Sequence, residues 1–218
     1  MRRAAIVSPL RTAVGKFQGG LSSITAGDLG AVILRALVER TKLDPERVDD
    51  VIFAQGYGNG EAPCIARWSA LAADFPIKVP GYQLDRRCGS GLQAVIDASM
   101  QVQTGTADAI LVTGVESMSN IEYYSNDMRW GARLGDVKFH DRLDRGRANS
   151  QPVSRYGESS GAAESTEQIV REYGITREAS DRWAVRSHQR ATAAWNEGRF
   201  NDEVVPVPVK QKKGEPKL

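Results

Sequence analysis

The chain has 218 residues, 41% of them hydrophobic, with 29 Lys and Arg against 27 Asp and Glu for a formal net charge of +2. That much apolar material builds a real core, in one domain or in one domain with a sizeable insertion, which excludes a disordered protein. Interleaved charge close to balance argues against a nucleic-acid partner, and two distant cysteines with two histidines do not supply a structural zinc site.

Met1-Arg2-Arg3 is followed by too few apolar residues before Pro9 for a signal-peptide core, and no apolar run reaches membrane-spanning length. Without a C-x-x-C pair, a reducing compartment is the simplest setting. The expectation is a soluble, cytoplasmic protein with no membrane partner.

Arg3 to Ser8 is a compact apolar run ending at Pro9, the pattern of a buried first strand, and Arg11 to Gly20 reads as a loop. Thr25 with Asp28 three residues on resembles a capping box, and Leu29, Val32, Ile33, Ala36 and Leu37 continue at helical spacing to about Arg40. Asp44-Pro45 marks a turn. Asp50 to Gln55 reads as a second strand and Ala62 to Ala73 as a second helix, an alternation typical of α/β proteins. The intervening Gly56 to Gly60 stretch sits where a dinucleotide fingerprint would, but its third glycine comes one residue too early, so a tight turn is preferred.

Val79 to Leu84 reads as a short strand, followed by Asp85-Arg86-Arg87-Cys88-Gly89-Ser90-Gly91-Leu92-Gln93-Ala94. From Leu92 the positions Leu92, Val95, Ile96, Ser99 and Met100 mark the buried face of a helix that ends at Gly105. Cys88 therefore lies on a strand-to-helix elbow, beside unpaired helix N–H groups, the positive end of the macrodipole, and Arg86 and Arg87. Those surroundings favour thiolate over thiol. Gly89 and Gly91 leave the backbone uncovered, so a thioester carbonyl can approach the sulfur with its oxygen toward the Cys88 N–H. The pattern suits covalent acyl transfer, and the glycines, arginines and elbow together outweigh the plain alternative of a small buried hydrophobe capping a core helix.

Ala109 to Thr113 is the next parallel strand, closed by Gly114-Val115-Glu116-Ser117-Met118-Ser119. From Asn120 to about Ser160 the periodicity stops, and loops this long are functional or disordered. The basic residues Arg129, Arg133, Lys138, Arg142, Arg145, Arg147 and Arg155 there suit a solvated or subunit-contact face as well as an anion site. Two helices follow: Ala162 to Tyr173, closed by Gly174, and one from the Thr176 cap to Asn196, closed by Gly198. The second is expected to bury Trp183 with Ala184, Ser187, Ala191 and Ala194. Val204 to Val209 fits an edge strand, where proline is tolerated, and Lys210 to Leu218 a mobile polar tail.

With these residues in view, the chain resembles the thiolase family, the acetyl-CoA acetyltransferases and 3-ketoacyl-CoA thiolases, along essentially its whole length. Arg11-Thr12-Ala13-Val14-Gly15-Lys16-Phe17 is similar to the family's R-T-P-x-G-x-F loop, Cys88 to Ala94 to its nucleophile motif, and Gly114 to Ser119 to its G-x-E-S-M-S segment. The resemblance implies an α/β fold: a thiolase-like N-terminal α/β half with mixed sheet and helices over residues 1–119, its sheet incomplete. That half carries an inserted, mostly helical loop domain for coenzyme A binding and oligomerisation over residues 120–218, and the C-terminal half is absent.

By the same resemblance Cys88 attacks an acyl-CoA thioester to form an acyl-enzyme, and its own N–H contributes to an oxyanion hole. A second thiol or an acetyl-CoA carbanion then resolves the intermediate. Gly89, Gly91, Met118 and Ala162 are the implied substrate-binding positions. Acyl-CoA and CoA enter as substrates, with no permanently bound cofactor and no metal. The implied assembly is a homo-oligomer, dimer or tetramer, or a pairing with a chain that supplies the C-terminal thiolase half.

The family's activating His, second Cys and Asn-held water belong to that other half, so turnover by this chain alone is not expected. Neither His140 nor His188 has the family's G-H-P context, and Cys64 does not match its second Cys motif. Asp85 stands where the family often has Asn, Ala13 where it has Pro, and Ala162 where it usually has Met, which leaves the expected channel wall smaller. Two rivals follow: a non-catalytic thiolase-like protein that binds acyl-CoA or an interaction partner, and a condensing enzyme of the ketosynthase type.

Overall fold

The computed structural model describes residues 2–159, 161–210 and 216. In chain order the elements are β1 (Arg11–Thr12), α1 (Ala26–Thr41), β2 (Asp50–Ala54), α2 (Ile65–Ala72), β3 (Tyr82–Leu84), α3 (Ser90–Thr104), β4 (Ile110–Gly114), β5 (Tyr123–Tyr124), β6 (His140–Asp141), α4 (Arg142–Ala148), α5 (Val153–Tyr156), α6 (Ala162–Glu172), α7 (Arg177–Asn196) and β7 (Val204–Val205). The chain divides into two compact units, one running to Ile121 and resuming at Asp202, the other spanning Glu122–Asn201. The sequence placed everything after residue 119 together. The return at Asp202 differs from that because β7 pairs in parallel with β1, Arg11 opposite Val204 and Thr12 opposite Val205, and Arg11 Nε meets Glu203 Oε1 at 2.7 Å.

The first unit is built on a parallel sheet of order β3-β2-β4. Asp-Val-Ile-Phe-Ala of β2 is almost continuously apolar, as a strand covered on both faces must be. Alternate side chains serve opposite faces: Val51 and Phe53 pack with Leu34, Ile65, Ala66 and Val79, whereas Ile52 and Ala54 pack with Ala94 and Ala98 of α3. The Thr25 hydroxyl caps α1, accepting the Asp28 N–H at 3.1 Å. A side chain on Gly30 would place its Cβ 2.5 Å from the Phe53 ring and 2.7 Å from Ser69 Oγ, so only glycine lets α1 lie this close.

Two expectations for this unit are corrected. Helix α3 buries Ser90, Ala94 and Ala98, while Leu92, Ile96 and Met100, read as its core face, are 69%, 41% and 50% exposed. Small side chains let the helix settle onto β2, and the larger stripe is turned outward. Arg3 to Ser8 forms no strand, and Ile6 and Val7 are 76% and 69% exposed. An apolar run becomes a strand only where a ladder partner completes its hydrogen bonds, and here a cavity separates it from β4.

In the second unit β5 and β6 pair antiparallel through Tyr123–Asp141 and Tyr124–His140. The stretch expected to be loop thus holds short elements, and His140 is half-buried in β6 with its ring 5.7 Å from that of Tyr124. Part of the basic cluster is locally paired, Arg142 with Glu122 at 2.7 Å and Arg147 with Asp144 at 3.2 Å. Helix α7 starts at the Thr176 cap but buries none of its residues. Trp183 is 68% exposed, with the Arg186 guanidinium 4.0 Å above its ring; a helix polar on nearly all sides has no core stripe to bury it with. The expected mobile tail lies, beyond Lys210 and apart from Pro216, outside the described residues. No helix among the described residues is long and apolar enough to cross a membrane.

Candidate active site

Because β2, β3 and β4 are parallel, the turns leaving their carboxyl ends, from Gln55, Asp85 and Val115, gather at one edge of the sheet. In open α/β sheets that edge is where ligands bind.

The turn that carries Cys88 is stitched from within. Gly89 N–H donates to the Arg86 carbonyl at 3.1 Å and Ser90 N–H to the Arg87 carbonyl at 3.0 Å. The buried Ser90 hydroxyl accepts the Arg86 N–H at 2.7 Å and donates to the Arg87 carbonyl at 2.6 Å. Arg87 itself holds φ at +51°, in the left-handed region, and its N–H donates to Asp85 Oδ1 at 2.8 Å. Held this way, Cys88 presents an exposed, free thiol two residues ahead of α3.

Both flanking guanidinium groups are committed to neighbours, which refines the picture of two arginines serving the sulfur. Arg87 Nη1 donates to the Gly56 carbonyl at 2.7 Å and its guanidinium lies 5.2 Å from the Tyr57 ring centroid. Arg86 donates to Gln93 Oε1, whose amide in turn donates to Asp97 at 2.7 Å.

At the head of α3 the Gly91 and Leu92 N–H groups have no acceptor among the described residues. A Cβ on Gly91 would meet no heavy atom within 4 Å, so the approach there is open; one on Gly89 would sit 3.3 Å from the Arg86 carbonyl oxygen. Met118 lies in the turn that follows β4 and is 53% exposed. That turn is tied down by Asn120 Nδ2 donating to the Ser22 carbonyl at 2.9 Å and by Gln18 N–H donating to Ser119 Oγ at 3.1 Å.

The fold thus brings Cys88, Gly89, Gly91 and Met118 to one edge of the first unit. Ala162, the exposed first residue of α6, belongs to the second unit, as do His140 and His188. Cys64 caps α2 and its Sγ donates to the Gly81 carbonyl at 3.3 Å.

Sequence reasoning did not single out the polar groups that frame this edge. Glu116 Oε2 accepts the Gly56 N–H at 2.9 Å, joining the exits of β2 and β4, and Gln83 Oε1 accepts the Ile65 N–H at 2.8 Å. Gln55 is buried with its Oε1 unpartnered among the described residues. Their only signal was a polar residue within or just after an apolar strand. Beneath the edge, burial pushes the Tyr82 hydroxyl above its ordinary pKa, assisted by the carboxylates of Asp97 and Asp50. No group of three or more His, Cys, Asp or Glu among the described residues is arranged to hold a metal ion.

Residues 4–218 match the family described as thiolase, N-terminal domain. An acetyl-CoA acetyltransferase of Cupriavidus necator is 39% identical over 217 residues, which is 99% of this chain and 54% of that protein. One from Escherichia coli K12 is 37% identical over 214 residues, 98% of this chain and 53% of its own length. The crystal structure of the Bacillus anthracis acetyl-CoA acetyltransferase superposes with a TM-score of 0.87 at 34% identity, over 96% of this chain and 52% of that one. The chain spans about half the length of the curated relatives it matches. With the match running from residue 4 through the Cys88 elbow to residue 218, and the backbone following the same course, the chain belongs to the thiolase family and carries its N-terminal domain.

Proposed function

We propose that this chain is the nucleophile-bearing part of a thiolase-type acyltransferase, which moves an acyl group between coenzyme A thioesters through an acyl-enzyme on Cys88. The observation that carries this reading is the exposed Cys88 thiol, held on a hydrogen-bonded turn at the head of α3 where three parallel strands end. The relatives named acetyl-CoA acetyltransferase supply the substrate class.

In the first half-reaction the Cys88 sulfur, as thiolate, attacks the thioester carbonyl carbon. Negative charge gathers on the carbonyl oxygen, and the Cys88 N–H, beside the positive end of α3, is the donor we assign to it. The new Sγ–C bond forms as the C–S bond to coenzyme A breaks, and the departing thiolate takes up the proton that Cys88 gave away. In the second half-reaction a thiolate or a carbanion alpha to a thioester takes the acyl group and Cys88 leaves. Gly89 and Gly91 keep the approach clear, while Met118 flanks the acyl and pantetheine arm.

The first unit contains no histidine, so the base that takes the Cys88 proton is not drawn from it. We assign the working enzyme to a cytoplasmic assembly, either a homo-oligomer or a pairing with a chain that supplies the C-terminal thiolase half. The same lack of a histidine favours a second reading, a non-catalytic protein that holds acyl-CoA without reacting.

Incubation with radiolabelled acetyl-CoA and mapping of the label separates the two. One acetyl thioester per chain on Cys88, lost in Cys88→Ser and kept in Cys64→Ser, is the expected result. Coenzyme A binding without any acetylation overturns the acyl-enzyme reading in favour of the second.

A further inference from the structure

The loop that leaves β2 reads Gly56-Tyr57-Gly58-Asn59-Gly60, and of the chain's asparagines only Asn59 is followed by glycine. No side chain shields the peptide nitrogen of a glycine, so the asparagine amide carbon is open to attack from within the chain. Whether it reacts depends on how the loop holds the carbonyl that is attacked, the nitrogen that attacks and the amine that leaves.

Asn59 Oδ1 accepts two backbone N–H groups, from Glu61 and from Ala62, each at 3.1 Å. Reaching the second and third N–H groups downstream folds the side chain forward over the Gly60 peptide that lies between. Among the described residues the Gly60 N–H has no acceptor and Asn59 Nδ2 has no partner. Gly60 is exposed, and a Cβ there would meet nothing within 4 Å, so hydroxide reaches its nitrogen. The pair lies in neither a helix nor a strand, and closing a ring there breaks no ladder bond. Asn120 is held differently: its Nδ2 donates to the Ser22 and Ile24 carbonyls, and the branched Ile121 follows it.

The chemistry these groups suit is cyclisation. Hydroxide takes the Gly60 N–H proton, and the nitrogen attacks the Asn59 amide carbon to form an N–C bond. The carbonyl electron pair moves onto Oδ1, where the Glu61 and Ala62 N–H groups face the growing charge as an oxyanion hole does. Collapse breaks the bond to Nδ2, which leaves as ammonia after taking a proton from water. Water then opens the cyclic imide at either carbonyl, giving aspartate or isoaspartate. The net change is one amide and one water converted to a carboxylate and ammonium.

We propose that Asn59 is a self-modification site, at which attack by the Gly60 nitrogen, assisted by the loop's own N–H pair, converts the side chain to aspartate and isoaspartate. The new carboxylate of the aspartate form accepts the same two N–H groups as charge-assisted bonds, which favours the product. The isoaspartate form adds a carbon to the backbone of the loop whose Gly56 carbonyl and Tyr57 ring hold Arg87. The inference is independent of the chemistry proposed for Cys88.

The test incubates the full chain at mildly alkaline pH and follows residue 59 by peptide mapping that separates asparagine, aspartate and isoaspartate. The reference is the same chain held unfolded in concentrated urea at the same pH. Conversion of Asn59 is expected to be roughly tenfold faster in the folded chain, the worth of hydrogen bonds that strengthen as charge gathers on Oδ1. Gly60→Ala, whose φ is outside the left-handed region and whose added Cβ is unobstructed, is expected to leave thermal unfolding unchanged. It should slow conversion by roughly tenfold or more by shielding the nitrogen.

Conversion no faster in the folded chain than in the unfolded one overturns the proposal. So does aspartate formed without isoaspartate, which marks direct hydrolysis, or an undiminished rate in Gly60→Ala.

Discussion

Asp49 and Ala109 hold each other twice: Asp49 N–H donates to the Ala109 carbonyl at 2.9 Å, and Asp49 Oδ2 accepts the Ala109 N–H at 3.0 Å. The same oxygen accepts the Asp108 N–H at 2.6 Å. Together they fix where β4 enters the sheet beside β2. Ala109 first and Asp108 second hold the Asp49 carboxyl below its ordinary range. A depressed carboxylate stabilises the fold above its unfolded pKa, and that contribution fades as pH falls through the ordinary Asp value toward the lower folded one. Asp49→Asn is expected to cost about 1 kcal/mol at pH 7, a figure discounted for the exposed position, and to flatten the loss of stability on acidification. Urea titrations of both proteins between neutral and acid pH check this.

The neighbouring Asp50 has the opposite sign. Burial pushes its carboxyl up, against the opposing pull of the Val51 N–H. Its ionisation weakens the fold as pH rises from the ordinary Asp value through the raised one. Asp50→Asn, which keeps an oxygen for Val51, is expected to raise the urea midpoint at pH 7 and to leave it unchanged at pH 3. An unchanged midpoint at both would show that Asp50 is solvated in solution.

Gly30→Ala tests the closeness of α1 to the sheet. The added Cβ would lie 2.5 Å from the Phe53 ring and 2.7 Å from Ser69 Oγ, both buried. Overpacking of this kind costs about 1–3 kcal/mol, enough to shift the thermal midpoint downward by several degrees. At Gly27 the obstacle is the ring of Trp68, which is partly exposed and free to swing outward, so Gly27→Ala is expected to cost less.

Ser90→Ala removes the hydroxyl that accepts from Arg86 and donates to Arg87, leaving a half-buried N–H without its acceptor. The expected loss is about 1–3 kcal/mol, with slower acetylation of Cys88 because the turn no longer fixes the thiol. Equal stability and equal labelling in Ser90→Ala would mean that the remaining backbone bonds suffice to hold the turn.

Elements whose signals are local were legible in the sequence. Thr25 with Asp28 announced α1, Gly105 with its φ of +79° closes α3 as expected, and the Asp50 to Gln55 run became β2. What the sequence could not show depends on partners. Arg3 to Ser8 has the composition of a strand and, among the described residues, no strand to pair with, and Trp183 has the composition of a core residue on a helix with no buried side. For α3 the periodicity marked a real apolar stripe, but Ala94 and Ala98 also fit the sheet, and small size decided which face went down. The turn that carries Cys88 and its glycines was readable as an elbow because these residues are contiguous. Glu116 and Gln83 were not, since their roles arise from contacts with Gly56 and Ile65 far away in sequence.

The outward stripe of Leu92, Ile96 and Met100 runs for two turns along α3, while the opposite face of that helix is already spent on β2. A helix apolar on two sides behaves in solution as adhesive before it behaves as structure. In sulfate, which strengthens apolar contact, the purified chain will therefore salt out as folded, self-associated material at concentrations that raise its melting temperature. Leu92→Gln with Ile96→Gln should move that precipitation to higher salt while leaving the unfolding transition in place.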